Sequence, residues 1–161
     1  MKIYFIGLPG VGKSTVGKAL AQRLGYTFID LDTYIEQQAM LFVDEIFHLY
    51  GEEYFRALES NCLKEVSCKE NIVVSCGGGI IKTKKNKDYM DGLCIYLKAS
   101  LDTIQSRIDA QTIERPLLVS KRLEDLYLER KDLYDEFKTI EIENLELNQT
   151  INTILKELKL K

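Results

Sequence analysis

A glycine-rich motif near the N-terminus constrains this chain more than any other feature. Residues 7–14 read Gly-Leu-Pro-Gly-Val-Gly-Lys-Ser, which fits the phosphate-binding pattern G-x-x-x-x-G-K-[ST]. The motif follows the apolar residues 3–6 and precedes a helical pattern, which is where such a loop must lie. Glycines let backbone N–H groups surround phosphate oxygens, a lysine reaches the outer phosphates, and a hydroxyl at a helix N-terminus can ligate Mg²⁺. The motif predicts a nucleoside triphosphate site formed by Gly10, Val11, Gly12, Lys13, Ser14 and Thr15.

Two other interpretations of this motif are weaker. A glycine-rich turn that binds no ligand would need neither Lys13 nor Ser14. A dinucleotide-binding turn would need a third glycine at the position of Thr15. The spacing therefore favours a phosphate-binding loop.

Length and charge limit the classes of protein and of partner. The chain has 161 residues, of which 45% are hydrophobic, enough for one α/β core and too few for two ordinary domains. We therefore expect residues 1–161 to form a single domain. A net charge of −3 argues against nucleic acid or an anionic membrane as the main partner. We expect small-molecule partners and a monomer.

The sequence shows no signal for export or for a metal cluster. No run of 18 apolar residues occurs, and the N-terminus leads directly into strand-like sequence, so we expect a cytoplasmic protein. Cys62, Cys68, Cys76 and Cys94 form no C-x-x-C pair, and His48 has no metal-ligand spacing to any of them. We expect buried, reduced thiols and a surface or capping histidine.

Strand-like and helix-like segments alternate along the chain. The strand-like segments cover residues 3–8, 27–31, 72–76, 93–97 and 139–142. This alternation predicts an α/β fold, a five-stranded parallel sheet with helices on both faces. Ligands of such sheets bind at the carboxyl ends of the strands. The first three predicted strands are followed there by residues 10–14, by Asp30 with Asp32, and by Gly77, Gly78 and Gly79.

Two segments interrupt the alternation. Residues 33–67 are helical for longer than one crossover needs, with Gly51 as a break, which predicts a helical substrate-binding insertion. Residues 109–120 are irregular around Arg115, because the proline that follows it disfavours helix at that position. This second segment is predicted to be a lid.

Two carboxylates follow the second strand. Asp30 and Asp32 are predicted to lie on one face of an extended chain, about 7 Å apart, so that one can serve a metal shell and the other an acceptor hydroxyl. Asp32 has a simpler alternative role, as the cap of a helix that starts at Thr33. No such alternative applies to Asp30.

Three glycines and an arginine suggest an acceptor site. Residues 77–79 lack side chains directly after the third strand, which favours contact of a ligand with backbone N–H groups over a tight turn alone. Arg56 lies one helical turn before Glu59. It forms either a surface ion pair worth about 0.2–0.5 kcal/mol or a fork onto a ligand carboxylate, oriented by Glu59. The spacing alone does not decide between the two.

Together these motifs resemble shikimate kinase. The motifs occur in the same order as in that family over residues 3–134. Within this range, residues 45–59 and 115–118 match the family as well. It implies a P-loop kinase fold. It further implies an ATP-dependent transfer of the γ-phosphoryl group to the 3-hydroxyl of shikimate, a step towards chorismate and the aromatic amino acids. Mg²⁺ is the implied cofactor, with ATP as co-substrate.

The resemblance implies an acceptor site. Shikimate would contact Asp32, Arg56, Gly78 and Arg130, and Asp32 would also act as the catalytic base. Gly77 and Gly79 are substrate-binding candidates from the glycine pattern itself. The family usually has Arg-x-Pro-Leu-Tyr where this chain has Arg130-Lys131-Asp132-Leu133-Tyr134, so the proline is missing while the arginine and the Leu-Tyr pair remain.

The resemblance also implies a phosphate and metal site. Lys13 and Arg115 would be catalytic residues that contact the transferring phosphate. Ser14 would ligate Mg²⁺, and Asp30 would lie near the water shell of the metal.

The adenine side departs from the family. The pair that is often acidic-Thr in the family is Glu143-Asn144 here, and no arginine follows it in the chain. Arg107 is the nearest candidate for stacking on adenine from the lid side.

Other functions share parts of this pattern. A gluconate kinase or a nucleoside monophosphate kinase would have the same loop and lid, but the three glycines and the Phe55-Arg56 context favour shikimate. A GTPase switch would need an Asn-Lys-x-Asp sequence after a strand, which the chain lacks. A regulatory ATP-binding protein without activity would be expected to lose Lys13 or one of the aspartates.

Overall fold

A parallel sheet forms the centre of the computed structural model, which describes residues 1–110 and 123–159. The five strands are β1 (Lys2–Ile6), β2 (Thr27–Asp30), β3 (Ile72–Ser75), β4 (Leu93–Lys98) and β5 (Ile140–Glu143). Their order across the sheet is β2-β3-β1-β4-β5, and each neighbouring pair is parallel. The predicted five-stranded parallel sheet is confirmed, with strand ends within two residues of the predicted ones.

The central strands are covered on both faces. All four residues of β3 are buried, and so are residues 3–6 in β1. Because successive side chains of a strand point to opposite faces, an unbroken buried run requires packing against both. The helices provide this packing on the two faces, as the alternating pattern predicts.

Seven α-helices and one 3₁₀ helix connect the strands in the described ranges. They are α1 (Lys13–Leu24), α2 (Leu31–Ala39), α3 (Val43–Val66), the 3₁₀ helix (Ile80–Lys82), α4 (Asn86–Tyr89), α5 (Leu101–Asp109), α6 (Leu123–Phe137) and α7 (Leu147–Glu157). Helices α2 and α3 fill most of the predicted helical insertion. Gly51, with φ 85° and ψ 172°, interrupts α3 at the predicted break.

The predicted geometry after β2 is wrong. Pairing with β3 ends at Asp30, opposite Ser75, and α2 begins at Leu31. Asp32 therefore lies in the first turn of a helix and not on an extended chain. The cap of α2 is Asp30, whose Oδ1 accepts a hydrogen bond from the N–H of Thr33 at 3.2 Å. The capping role that the sequence offered to Asp32 thus belongs to Asp30.

The thiols differ from the expectation at one position. Cys62, Cys76 and Cys94 are buried and free, as predicted. Cys68 is free but exposed, because it follows the end of α3, so the prediction of a buried thiol is wrong there. His48 is exposed, as expected for a surface residue.

Two further expectations meet the limits of the described residues. Helix α5 extends to Asp109, whereas residues 111–122, with Arg115 and most of the predicted lid, lie outside the described part of the chain. Within residues 1–110 and 123–159, no helix is both long enough and apolar enough to cross a membrane.

Candidate active site

The phosphate-binding loop joins β1 to α1 at the middle of the sheet. Gly10 and Gly12 have φ angles of 84° and 103°, in a left-handed region that side chains rarely enter. Lys13 begins α1, and its buried Nζ donates to the carbonyls of Gly7 and Leu8 at 2.6 and 3.1 Å. The ammonium group is therefore held against the backbone of its own loop.

A cavity of about 460 Å³ lies beside the loop. Its walls are formed by Gly10, Gly12, Lys13, Ser14, Thr15, Val16, Arg107, Ala110, Asn144 and Leu147. Six of these residues were candidates for nucleotide binding from the sequence, namely Gly10, Gly12, Lys13, Ser14, Thr15 and Arg107. The seventh described candidate, Val11, has a buried side chain. The volume is in the usual range for a small-molecule site.

Arg107 lies at the wall of this cavity and is held by two backbone carbonyls. Its Nη1 donates to the carbonyl of Val11 at 2.9 Å, and its Nη2 donates to the carbonyl of Asn144 at 3.1 Å. The guanidinium group thus joins the phosphate-binding loop to the segment that follows β5.

Three strand ends meet at Ser14. Its hydroxyl donates to Oδ2 of Asp30 at 2.9 Å and lies 3.1 Å from the hydroxyl of Ser75. Ser14 lies after β1, Asp30 is the last residue of β2, and Ser75 is the last residue of β3. The predicted convergence of three strand ends is therefore confirmed. The cluster presents hydroxyl and carboxylate oxygens at the edge of the loop.

The three glycines at residues 77–79 each face a different side chain. A Cβ atom added to the first would lie 2.9 Å from Oδ1 of Asp32, and one added to the second would lie 3.1 Å from Nη1 of Arg130. A Cβ atom on the third would collide with the guanidinium group of Arg56, with Cζ at 2.7 Å. None of the three glycines has a positive φ, so they are needed for close approach and not for turn geometry.

Arg56 is fixed by two carboxylates and two aromatic rings. Its Nη1 donates to Oε1 of Glu59 at 3.0 Å, and its Nε donates to Oε2 of Glu52 at 3.2 Å. Its Cζ lies 5.2 Å from the ring centre of Phe55 and 5.9 Å from that of Phe47. The side chain of Arg56 is only 12% exposed and that of Glu59 only 1%, so the interpretation as a surface ion pair is wrong.

Burial raises the pKa of two acids in this region. The pKa of Asp32 is raised to about 6, mainly by burial and then by the charge on Asp30, against the opposing charge of Lys13. Burial also raises the pKa of Glu59 to about 7, against the opposing charge of Arg56. Oε2 of Glu59 accepts no hydrogen bond from the residues that the structure describes.

Arg130 is a buried cation on α6. Its side chain is 1% exposed, and its Nε, Nη1 and Nη2 have no hydrogen-bond partner of good geometry within the described residues, although the hydroxyl of Tyr134 and the carboxylate of Glu59 interact with its charge. One turn later, the hydroxyl of Tyr134 donates to the carbonyl of Gly78 at 2.6 Å and so ties α6 to the glycines. A buried guanidinium without hydrogen bonds is costly, which indicates a site for an anionic ligand.

Comparison with known families identifies the fold and the activity. The model of the shikimate kinase family matches residues 9–159. The chain belongs to the shikimate kinase family. A shikimate kinase of Gloeobacter violaceus is 42% identical over 83% of this chain and 78% of its own length. One from Clostridium botulinum is 36% identical over 98% of this chain and 94% of its own.

Solved structures agree with this assignment. The shikimate kinase of Bacteroides thetaiotaomicron is similar with a TM-score of 0.90 at 30% identity, covering 99% of both chains. That of Acinetobacter baumannii, solved in complex with shikimate, has a TM-score of 0.91 at 31% identity and covers 98% of this chain and 92% of that one. A gluconokinase of Sinorhizobium meliloti, at 18% identity and a TM-score of 0.62, shares the fold alone. The predicted P-loop kinase fold and shikimate kinase family are confirmed.

One departure from the shikimate kinase pattern is explained by α6. This helix continues without interruption through Asp132, the position at which the family has proline. Asp132 is exposed, while Arg130 and Tyr134 are buried on the other side of the helix. The missing proline therefore does not displace the arginine from the glycines.

Three residues at this site make contacts that the sequence did not predict, although the resemblance places Asn144 on the adenine side. They are Ser75, the hydroxyl of Tyr134, and Asn144, whose contacts reach across 61, 56 and 133 residues of chain. Only Ser75 carried a usable signal, since it lies at the carboxyl end of a buried strand.

Proposed function

We propose that this chain transfers the γ-phosphoryl group of ATP to the 3-hydroxyl of shikimate, forming shikimate 3-phosphate and ADP in the pathway to chorismate. The observation that carries the acceptor is the pair of guanidinium groups, Arg56 and Arg130, packed against residues 77–79 beside the carboxylate of Asp32. Guanidinium groups can donate paired hydrogen bonds to a carboxylate of the ligand, and the carboxylate of an aspartate can accept a hydrogen bond from a hydroxyl of the ligand. Shikimate carries both groups on one ring.

At the phosphate end, Lys13 and the backbone N–H groups of residues 10–15 are proposed to hold the outer phosphates of ATP. Phosphoryl transfer needs positioning and charge neutralisation more than covalent chemistry by the protein. A lysine fixed by the carbonyls of its own loop supplies both. Arg115 is proposed to add a second positive charge at the transferring phosphate, and Arg107 to lie on the adenine side.

At the acceptor end, Asp32 is proposed to take the proton of the 3-hydroxyl as that oxygen bonds to phosphorus. Its pKa of about 6 leaves the carboxylate mostly ionised at neutral pH. The raised pKa also makes it a stronger proton acceptor than an ordinary aspartate. Arg56 and Arg130 would orient the ring by holding the carboxylate of the acceptor.

Mg²⁺ is the proposed cofactor. The hydroxyl of Ser14 and the carboxylate of Asp30, 2.9 Å apart, are the hard oxygen donors that this ion prefers. Ser14 would be a direct ligand and Asp30 would accept from water in the metal shell. Within residues 1–110 and 123–159 no group of three or more His, Cys, Asp or Glu side chains could hold a metal. Phosphate and water oxygens would therefore complete the shell, and the bound ion would neutralise phosphate charge.

The organisation of the enzyme is also part of the proposal. Residues 1–161 would form one kinase domain, in which residues 33–67 hold the acceptor and residues 109–120 close over it as a lid. We propose that the enzyme acts as a monomer in the cytoplasm. The free thiols of Cys62, Cys76 and Cys94 suit a reducing compartment. Light scattering of the purified protein would test the oligomeric state.

A coupled assay of ADP release tests the proposed reaction. Shikimate, gluconate and AMP are offered separately as acceptors, with ATP and Mg²⁺ at fixed concentration. We expect release that depends on shikimate and is absent with the other two. Faster ADP release with gluconate or AMP than with shikimate would refute shikimate as the acceptor. ADP release at the same rate with and without any of the three acceptors would refute the transfer reaction itself.

A further inference from the structure

Asn144 lies directly after β5, buried between the phosphate-binding loop and α7. Its side chain Nδ2 donates to the carbonyl of Val11 at 2.8 Å, across 133 residues of chain. The residue is 6% exposed, and its backbone N–H donates to the carbonyl of Lys98 at 2.6 Å. The residue is thus anchored to β4 through its backbone and to the loop through its side chain.

The orientation of this amide is determined by its neighbours. The carbonyl of Val11 can only accept, so the NH₂ group of Asn144 must face it. The Oδ1 atom then faces the hydroxyl of Thr150 on α7, at 2.8 Å. Thr150 is 2% exposed, so this hydroxyl is buried with the amide. The same hydroxyl lies 2.9 Å from the carbonyl of Glu146, so its one hydrogen is shared between that carbonyl and Oδ1 of Asn144.

Two donors converge on the carbonyl of Val11. Asn144 Nδ2 reaches it at 2.8 Å and Arg107 Nη1 at 2.9 Å. A trans peptide is planar, with its C=O and N–H pointing in opposite directions, and this chain has no cis peptide in its described part. The peptide whose carbonyl is held is the one that carries the N–H of Gly12. Fixing the carbonyl therefore fixes the direction of one of the N–H groups of the loop.

The fit around Gly12 is close enough for this contact to be specific. A Cβ atom at Gly12 would lie 2.6 Å from Nδ2 of Asn144, and the φ of 103° already disfavours a side chain. Asn144 also accepts from Arg107 through its backbone carbonyl, at 3.1 Å. One residue thus contacts both the loop and the arginine at the cavity wall.

We propose that Asn144 is a positioning residue for the nucleotide: its side chain sets the Val11–Gly12 peptide so that the Gly12 N–H is directed at phosphate, and its backbone holds Arg107. This inference rests on the proposed function, because it takes the cavity beside the loop as the nucleotide site. Asn144 is part of the cavity wall, and in this assignment its side chain acts on the nucleotide through the loop. Its substitution should therefore change the binding of ATP and ADP and leave the binding of the acceptor unchanged.

The test inverts the hydrogen bond without changing the size of the side chain. Asn144→Asp keeps an oxygen for Thr150 but places an acceptor against the carbonyl of Val11. We expect the dissociation constant of ADP, measured by titration calorimetry, and the KM for ATP to rise by about tenfold or more. The KM for shikimate should stay within about twofold of the original value.

A second variant and a matched control use α7. Thr150→Val removes the hydroxyl that faces Oδ1 of Asn144, and should weaken ADP binding in the same direction by about threefold. Thr153→Val is the control, because its hydroxyl is exposed and donates to Gln149 of its own helix at 2.8 Å. If Asn144→Asp fails to fold, Thr150→Val measured against Thr153→Val decides the question.

Two outcomes would overturn the inference. In one, a folded Asn144→Asp, or Thr150→Val in its place, binds ADP as the original protein does. In the other, the KM values for ATP and shikimate rise together, as a general structural defect would cause. Failure of the unmodified protein to bind ADP would instead refute the proposed function and with it the identity of the cavity.

Discussion

Replacing Arg130 by methionine should stabilise the free protein while weakening acceptor binding. The side chain is 1% exposed, and none of its three nitrogens donates a hydrogen bond of good geometry to a described residue, the hydroxyl of Tyr134 being its polar neighbour on the same helix. Replacing a buried charge by an apolar side chain of similar volume often stabilises a protein, by about 1–4 kcal/mol. The charge of Glu59 offsets part of this effect, so we expect about 1–2 kcal/mol for Arg130→Met.

The expected magnitudes can be measured separately. A gain of this size corresponds to a rise in Tm of about 2–8 °C for a chain of this length, read by calorimetry or circular dichroism without ligand. Loss of the charge-assisted hydrogen bonds from the guanidinium group should weaken the binding of shikimate by about 1.5–3 kcal/mol, which corresponds to a rise in KM of about 10- to 150-fold. The KM for ATP should change little, because Arg130 lies beside Gly78 and is not among the residues that line the cavity at the phosphate-binding loop.

Arg56→Met is the matched comparison. Arg56 is also largely buried, but Glu52 and Glu59 accept its hydrogen bonds. Removing it leaves the carboxylate of Glu59 buried without its partner and should lower stability by up to about 3 kcal/mol. Both variants should raise the KM for shikimate, while their Tm values move in opposite directions. A fall in Tm for Arg130→Met as large as for Arg56→Met would show that Arg130 is structural and refute the reasoning.

Three further predictions concern the same site. The raised pKa values of Asp32, about 6, and Glu59, about 7, mean that the folded state binds protons more tightly than the unfolded state. Their contribution to stability is fully present below the unfolded pKa values, about 4, and is lost as pH rises through the folded values of about 6 and 7, so Asp32→Asn and Glu59→Gln should flatten Tm against pH between about 4 and 7. Activity should show the opposite trend and fall as pH drops through about 6, where Asp32 becomes protonated; a flat profile of kcat/KM would contradict its role as base. Lys13→Met should lower kcat by about thirty- to a thousandfold with circular dichroism unchanged, and near-normal turnover would exclude the charge of Lys13 from the transition state. Gly79→Ala should displace the guanidinium of Arg56 and raise the KM for shikimate about tenfold, and an unchanged KM would mean that the arginine does not bind the acceptor.

The large features of this fold follow from the sequence because they depend on local pattern. Apolar runs alternating with helical periodicity specify a parallel sheet, and parallel strands place all their carboxyl ends on one edge. That rule brings Ser14, Asp30 and residues 77–79 to one place without any knowledge of their contacts. The phosphate-binding loop could be predicted residue by residue, since its function depends on fixed spacing along the chain.

The features that the sequence did not specify depend on single residues or on distant contacts. The choice of Asp30 or Asp32 as helix cap depends on whether β2 ends one residue earlier or later, which pairing with β3 decides. Arg56 and Glu59 have the same i,i+3 spacing whether the pair lies on the surface or in the core. The burial of their side chains depends on how α3 packs, which the spacing does not indicate. The hydrogen bond from Asn144 to Val11 joins residues 133 positions apart, and no rule of sequence spacing predicts it.

The three glycines show how close approach and ligand contact can have one cause. Residues 77–79 face side chains from three different helices, Asp32 of α2, Arg130 of α6 and Arg56 of α3. A side chain at any of the three positions would push one of these groups away from the other two. The glycines follow β3, which lies between β2 and β1 and is buried on both faces, so the end of this strand provides a fixed surface against which the three helices are placed. The carboxylate and the two guanidinium groups are thus held at set positions by backbone, and fixed positions of this kind are what the proposed binding of shikimate at these residues requires.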